Sequence, residues 1–215
     1  MVDVSEVMEV MQGHYDLDRR TTLNRMRKKP DPFKVLIGCL ISINIKDEVC
    51  DKILEELFSK VNGFQDVVEI DSNELENILY NARYRKVKAA RLKEVSKDVI
   101  ERFGGRVPRD RDKLMSIKGI GPKTCNIVLA FAFGKKVIPV DSNTIRISNR
   151  LGWIESKKAD EVEEMLIEEL EDEFIKDANA IFMLHGKNTC VPMSPHCSKC
   201  PVSLVCRRVG VNKSR

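Results

Sequence analysis

The 215 residues suffice for one large or two small hydrophobic cores, and the formal net charge of +4 is too mild to mark a nucleic-acid binder by itself. No apolar run is long enough to cross a bilayer and no signal peptide opens the chain, which predicts an intracellular, reducing compartment. In that setting Cys39, Cys50 and Cys125, set among apolar or helical neighbours, read as buried reduced thiols. The 33% of charged residues would suit a thermophile.

Hydrophobic spacing predicts helix after helix and almost no alternating strand pattern. Phe33 to Ile43 is apolar nearly all round, and Val49, Ile53, Leu54, Leu57 and Phe58 form one stripe on the next segment. Asp71, with Glu74 three residues on, predicts a capping box for a helix ending near Leu79. Arg83, Arg85, Lys86, Lys88, Arg91 and Lys93 then follow with no acid among them, a run that reads either as a solvated helix face or as a nucleic-acid footprint. Lys86 to Phe103 is expected to be a long amphipathic helix stopped by Gly104-Gly105. The stretch from Glu155 to Asp177 is densely acidic, and Val162, Leu166 and Leu170 mark its buried edge. The fold class is therefore all-α.

Between these lies Leu114-Met115-Ser116-Ile117-Lys118-Gly119-Ile120-Gly121-Pro122-Lys123-Thr124. Gly119 and Gly121 flank one apolar residue, Pro122 is a good first helical residue, and Ile127 to Phe133 continues as an apolar helix. The pattern predicts a helix-hairpin-helix whose amides, at a helix N-terminus, grip DNA backbone phosphate. Lys123 in the first turn opposes the helix dipole, at about 0.3–1 kcal/mol, which suggests a use as a nucleophilic amine; a phosphate-contacting or solvated lysine is the alternative. Eighteen residues on, Asp141 follows the apolar Val137-Ile138-Pro139-Val140; it reads either as an N-cap or as a carboxylate emerging from a dry segment to face chemistry.

Cys190, Cys197, Cys200 and Cys206 are spaced C-x6-C-x2-C-x5-C, so four thiolates can close around one small inorganic object. Only the inner pair has the C-x2-C knuckle usual at zinc sites, and the uneven outer arms suit a [4Fe–4S] cluster better than one tetrahedral ion. Zinc and a pair of disulfides are the alternatives.

Taken together, the hairpin with its lysine, the Val-Asp segment, Leu184-His185-Gly186 and the cysteine spacing resemble bacterial and archaeal endonuclease III over about residues 25 to 206. The resemblance implies a helix-hairpin-helix DNA glycosylase fold: a six-helix barrel over 25–135, with the hairpin at about 111–133. It also implies an iron–sulfur cluster domain of 1–24 and 136–215 with the cluster loop at 190–206, the active-site cleft lying between the two. By the same resemblance Lys123 is the Schiff-base nucleophile, Asp141 the catalytic carboxylate, and the four cysteines the cluster ligands. The implied partner is double-stranded DNA carrying damaged bases or abasic sites, bound by a monomer associated with the nucleoid of a prokaryotic cytoplasm. The implied activity is that of a bifunctional glycosylase and lyase acting on oxidised pyrimidines and abasic sites in base excision repair.

Departures from the family pattern bear on the substrate. Ser42-Ile43-Asn44-Ile45-Lys46-Asp47 has Asn44 where the family has a longer Gln that fills the space of the flipped nucleotide. Tyr84 falls at the wedge position usually held by leucine, where an aromatic ring can stack as well as fill. Asn143 replaces a common histidine, and Val191 to His196 lacks the lysines and arginines that often meet phosphate there; the basic run Arg83 to Lys93 is expected to compensate, with Arg83, Arg85 and Lys88 as DNA contacts. Two other readings stand beside this one. A monofunctional uracil or thymine mismatch glycosylase is the first, though such relatives generally lack lysine at the position of Lys123. The second is a cluster-bearing DNA-binding protein without catalysis.

Overall fold

Five of the eleven α-helices among the described residues begin behind an aspartate, Asp3, Asp31, Asp71, Asp110 or Asp141, whose carboxylate accepts from the first free amides. The computed structural model describes residues 3–15, 26 and 30–215, and every regular element among them is helical. Helix α1 (Val4–His14) starts behind Asp3, whose carboxylate accepts from the Ser5 amide at 2.9 Å. Helix α2 (Pro32–Ser42) starts in the same way, with Asp31 accepting from the amides of Phe33 and Lys34 and Pro32 at its first position. Contacts divide the chain into two compact units, Thr21–Lys135 and Met1–Arg20 with Lys136–Arg215. The boundary expected between residues 24 and 25 lies outside the described residues.

In the unit Thr21–Lys135, α2 is followed by α3 (Asp47–Lys60), α4 (Phe64–Glu69), α5 (Ser72–Ile78), α6 (Arg85–Phe103), α7 (Arg111–Met115) and α8 (Pro122–Phe133). Because α2 is apolar on every side, all of Val35 to Ile41 is buried, and the helix packs against α3, α6 and α8. Helix α6 covers α4 and α5 with Leu92, Val95 and Val99, and ends at Gly104-Gly105 with the paired bonds of a Schellman turn, Gly104 N to Ile100 O and Gly105 N to Val99 O. Asp71 caps α5 as expected, but only half of the capping box forms: Glu74 turns outward to Lys60, 2.6 Å away, because an exposed ammonium offers a charged partner. Burial pushes the thiols of Cys39 and Cys50 up to about 11 and about 12, so both are protonated at neutral pH; Cys125 is also buried, and none of the three is in a disulfide.

The other unit is built on α11 (Asp172–Asn188), against which α1 and α9 (Ser142–Leu151) pack, with α10 (Ala159–Glu169) beside α9. Its core joins Met8 and Met11 of α1 to Ile147, Leu151, Val162, Leu166, Ile181 and Phe182, so residues more than 160 positions apart share one apolar interior. Trp153 meets Phe182 edge-on. A short 3₁₀ turn, Cys197–Lys199, lies in the segment that carries the four C-terminal cysteines.

Candidate functional site

The hairpin forms where the sequence places it. Helix α7 ends at Met115, Ile117 and Ile120 turn inward with 1% and 5% exposure, and α8 starts at Pro122 with Gly121 as its N-cap. Gly119 takes φ +98°, a conformation L side chains rarely adopt, and the Arg91 side chain lies against it. Nothing stands within 4 Å of where a Cβ on Gly121 would project, so another backbone can approach closely there. The side chain of Ile120, expected among the DNA contacts, is instead an anchor in the core, so this residue can meet DNA only through its backbone. Lys123 is exposed in the first turn of α8, where helix geometry directs backbone amides out of the N-terminus toward an anion.

Asp141 is the N-cap of α9. Its Oδ1 accepts from the amides of Asn143 and Thr144 at 2.9 and 3.0 Å and from the Thr144 hydroxyl at 3.3 Å. The carboxylate therefore holds a fixed orientation at a helix mouth, whatever else it does.

Asn44 and Tyr84 share an unusual property. They take φ of 58° and 60°, the only non-glycine residues with positive φ among the described residues of their unit, and both are exposed. Tyr84 is the N-cap of α6 but makes no side-chain cap bond. Its ring lies under the Arg83 guanidinium, and Arg85 covers the ring of Tyr80 in the same manner, at 4.9 and 4.8 Å to the ring centres. Tyr80, Tyr84, Arg85, Lys86 and Val87 line one shallow depression. Tyr80, in the turn four residues before Tyr84 and 67% exposed, escaped the sequence reading; a second tyrosine beside the basic run was the only signal for it.

Lys88 is a correction. It is 8% exposed, and its ammonium donates to the carbonyls of Leu40, Ile41 and Ile43, which leaves no proton for a phosphate. Lys93 is bound in the same way, to the carbonyls of Val68 and Ile70 at the end of α4. The basic run is thus divided, with Arg83, Lys86 and Arg91 facing solvent, Arg85 half-buried, and two lysines serving the fold.

Cys190, Cys197, Cys200 and Cys206 line one cavity, together with Ile147, Leu151 and Val202. Among the described residues no three His, Cys, Asp or Glu side chains lie close enough together to hold one metal ion. A single zinc would need its sulfurs about 2.3 Å from one point, whereas four thiols set around a common void fit a larger polynuclear group that brings its own sulfide. Residues the sequence did not single out hold this loop. Arg146 donates to the carbonyls of Cys190 and Gly186, and Arg150 to those of Val191 and Pro192 and to Cys190 Sγ at 3.4 Å. Gly186 sits so near Asn143 that an added Cβ would lie 2.5 Å from its Oδ1 and 2.9 Å from Arg146 Nη2, so a side chain at this position of Leu184-His185-Gly186 would displace both. His185 is buried beside Tyr15, whose hydroxyl lies 2.8 Å from Nδ1; burial pushes the imidazole down to about 4 and keeps it neutral.

Residues 37–172 match the HhH-GPD superfamily of base excision DNA repair proteins. The endonuclease III of Thermotoga maritima is 34% identical to this chain over 89% of its length and 91% of that relative. The chain belongs to the endonuclease III family. Among solved structures, the endonuclease III of a non-covalent endonuclease III–DNA complex superposes with a TM-score of 0.74 at 30% identity, covering 93% of this chain and 95% of that one. A thermostable thymine-DNA glycosylase superposes with a TM-score of 0.81 at 28% identity, covering 93% of each chain. The endonuclease III resemblance stated on motifs alone is thereby established over most of the chain, and with it the all-α, helix-hairpin-helix fold. No helix of the described residues is long and apolar enough to cross a membrane.

Proposed function

We propose that this chain is a bifunctional DNA glycosylase and abasic-site lyase of base excision repair, with Lys123 as its nucleophile and Asp141 as its catalytic carboxylate. The observation that carries this reading is the exposed amine of Lys123 in the first turn of α8, beside a glycine hairpin suited to seating phosphate. The damaged base must first leave the stack, because its sugar carbon is unreachable inside the duplex. As the C1′–N bond breaks, the base departs with the bonding electrons and positive charge grows on the sugar, where the Asp141 carboxylate stabilises it. Neutral Lys123 then forms the N–C1′ bond and gives a proton to Asp141. The C1′–O4′ bond then breaks with its electron pair passing to O4′, which takes up the proton released from the lysine nitrogen, and the resulting iminium acidifies C2′–H. Removal of that proton expels the 3′ phosphate with its electron pair, and water finally hydrolyses the imine to regenerate the lysine.

Asn44 and Tyr84 are assigned to the gap left by the extruded nucleotide, with Arg83 and Arg85 on the flanking phosphates. Gly119 and Gly121, with the backbone of Ile120, hold the phosphate of the damaged strand. Residues 25–135 serve as the barrel domain and 1–24 with 136–215 as the cluster domain, acting as a monomer on chromosomal DNA in a prokaryotic cytoplasm. Cys190, Cys197, Cys200 and Cys206 would hold a [4Fe–4S] cluster, which when bound ties residues 190–206 to one point and adds to folding stability.

The likeness to a thymine-DNA glycosylase favours a second reading, excision of a mismatched base without lyase chemistry. One assay separates them. Duplexes carrying an abasic site, thymine glycol, uracil or a G·T mismatch are incubated with the protein and resolved before and after alkali. Strand cleavage without alkali at thymine glycol and abasic sites is the expected outcome; no cleavage of any duplex without alkali, with protein-dependent alkali-labile breaks at uracil or G·T only, would establish the mismatch reading.

A further inference from the structure

We propose that Lys88 is a positioning residue: its buried ammonium ties the turn presenting Asn44 to the helix start presenting Tyr84, so that both enter damaged DNA as one rigid unit. The proposal rests on the reading above, in which those two residues occupy the gap.

Left-handed backbone is unfavourable for a residue with a side chain, for tyrosine more than for asparagine. It persists where the surroundings over-determine it, and Asn44 and Tyr84 both carry it. Their common neighbour is Lys88. Its Nζ donates to Ile43 O at 2.7 Å, one residue before Asn44, and to Ile41 O and Leu40 O at 2.9 and 3.4 Å at the end of α2. Its own amide donates to Tyr84 O at 3.0 Å, closing the first turn of α6 on the strained tyrosine. One residue therefore fixes a carbonyl on the threshold of each exposed position. The other links between Asn44 and Tyr84 are the apolar packing of α2 on α6 and the chain through α3, α4 and α5; neither bonds a backbone group next to these two residues.

Stability alone does not call for this device. A helix C-terminus can end on glycine or on a solvated cation, as α6 does at Gly104, whereas an ammonium taken out of water loses hydration, and burial lowers the pKa of Lys88 accordingly. Lys93 supplies an internal comparison. It makes the same kind of amine-to-carbonyl bonds at the end of α4 but adjoins no exposed strained residue.

The test uses the full chain bound to a duplex with a tetrahydrofuran abasic analogue opposite 2-aminopurine, whose fluorescence rises when it is unstacked. Saturation is verified by anisotropy, and base release from thymine glycol is measured in parallel. Lys88→Met and Lys93→Met are both expected to melt below the wild type. Only Lys88→Met is expected to diminish the fluorescence rise several-fold and to slow base release at saturating protein, by about a hundredfold at most, the scale of a 1 Å misplacement. Lys88→Gln, which keeps an amide donor, is expected to fall between Lys88→Met and the wild type, and it decides the matter should Lys88→Met fail to fold. Wild-type fluorescence and rate in Lys88→Met or Lys88→Gln, or equal losses in Lys88→Met and Lys93→Met, overturn the proposal while leaving the repair reading intact. A wild-type protein that neither unstacks the probe nor releases the base contradicts the repair reading itself, and the role of Lys88 falls with it.

Discussion

At Asp141 two roles fall on one carboxylate, and an isosteric substitution separates them. The capping bonds from the amides of Asn143 and Thr144 fall on Oδ1, an atom that asparagine retains as an amide oxygen. Asn and Asp are near-equal N-caps, so Asp141→Asn is expected to melt within about 0.5 kcal/mol of the wild type. Its base release should nevertheless fall by about a hundredfold or more, the scale for removing one electrostatic stabiliser. Near-normal release, measured under single turnover, would return Asp141 to a purely structural role. Both of its readings were legible in the sequence, because an aspartate after an apolar run and before a helix is a local pattern. Gly186 was visible only as part of a motif, since the side chain it makes room for is that of Asn143, forty-three positions away in sequence.

At the scale of elements, α6 shows how a charge run misleads unless its helical phase is followed. Lys88, Leu92, Val95 and Val99 repeat at intervals of four, three and four, so Lys88 lies on the buried stripe, whereas Arg83 is exposed just before the helix and Arg85 is half-buried at its first position. That phase was present in the residues, but the carbonyls it meets, at the end of α2, belong to a long-range contact that periodicity does not reveal. Replacing Arg83 and Arg85 together with alanine is expected to reduce the slope of log K against log salt for abasic duplex by about one to two. Lys93→Ala should leave that slope unchanged while costing about 1–3 kcal/mol for carbonyls left unmet. Anisotropy titrations across a salt series decide both, and an unaltered slope in the double variant would make Arg83 and Arg85 a solvated face.

For the whole molecule, the all-α class was readable because helical period, aspartate caps and glycine stops are local. The binding of the cysteine loop by Arg146 and Arg150 was not, because it joins residues forty or more positions apart. Purified protein is expected to be brown, with about four irons per chain, and Cys206→Ser should chiefly lower folded yield, since the cavity holds none of the residues assigned to the chemistry. Colourless protein with one zinc would reject the cluster. The account as a whole turns on a covalent bond between Lys123 and the deoxyribose. Its most direct test is borohydride reduction of the protein on an abasic duplex, followed by mass spectrometry of the digested adduct. The adduct should map to Lys123 and be absent in Lys123→Ala, which should still bind the duplex; an adduct at another residue, or one that survives in Lys123→Ala, would contradict the account.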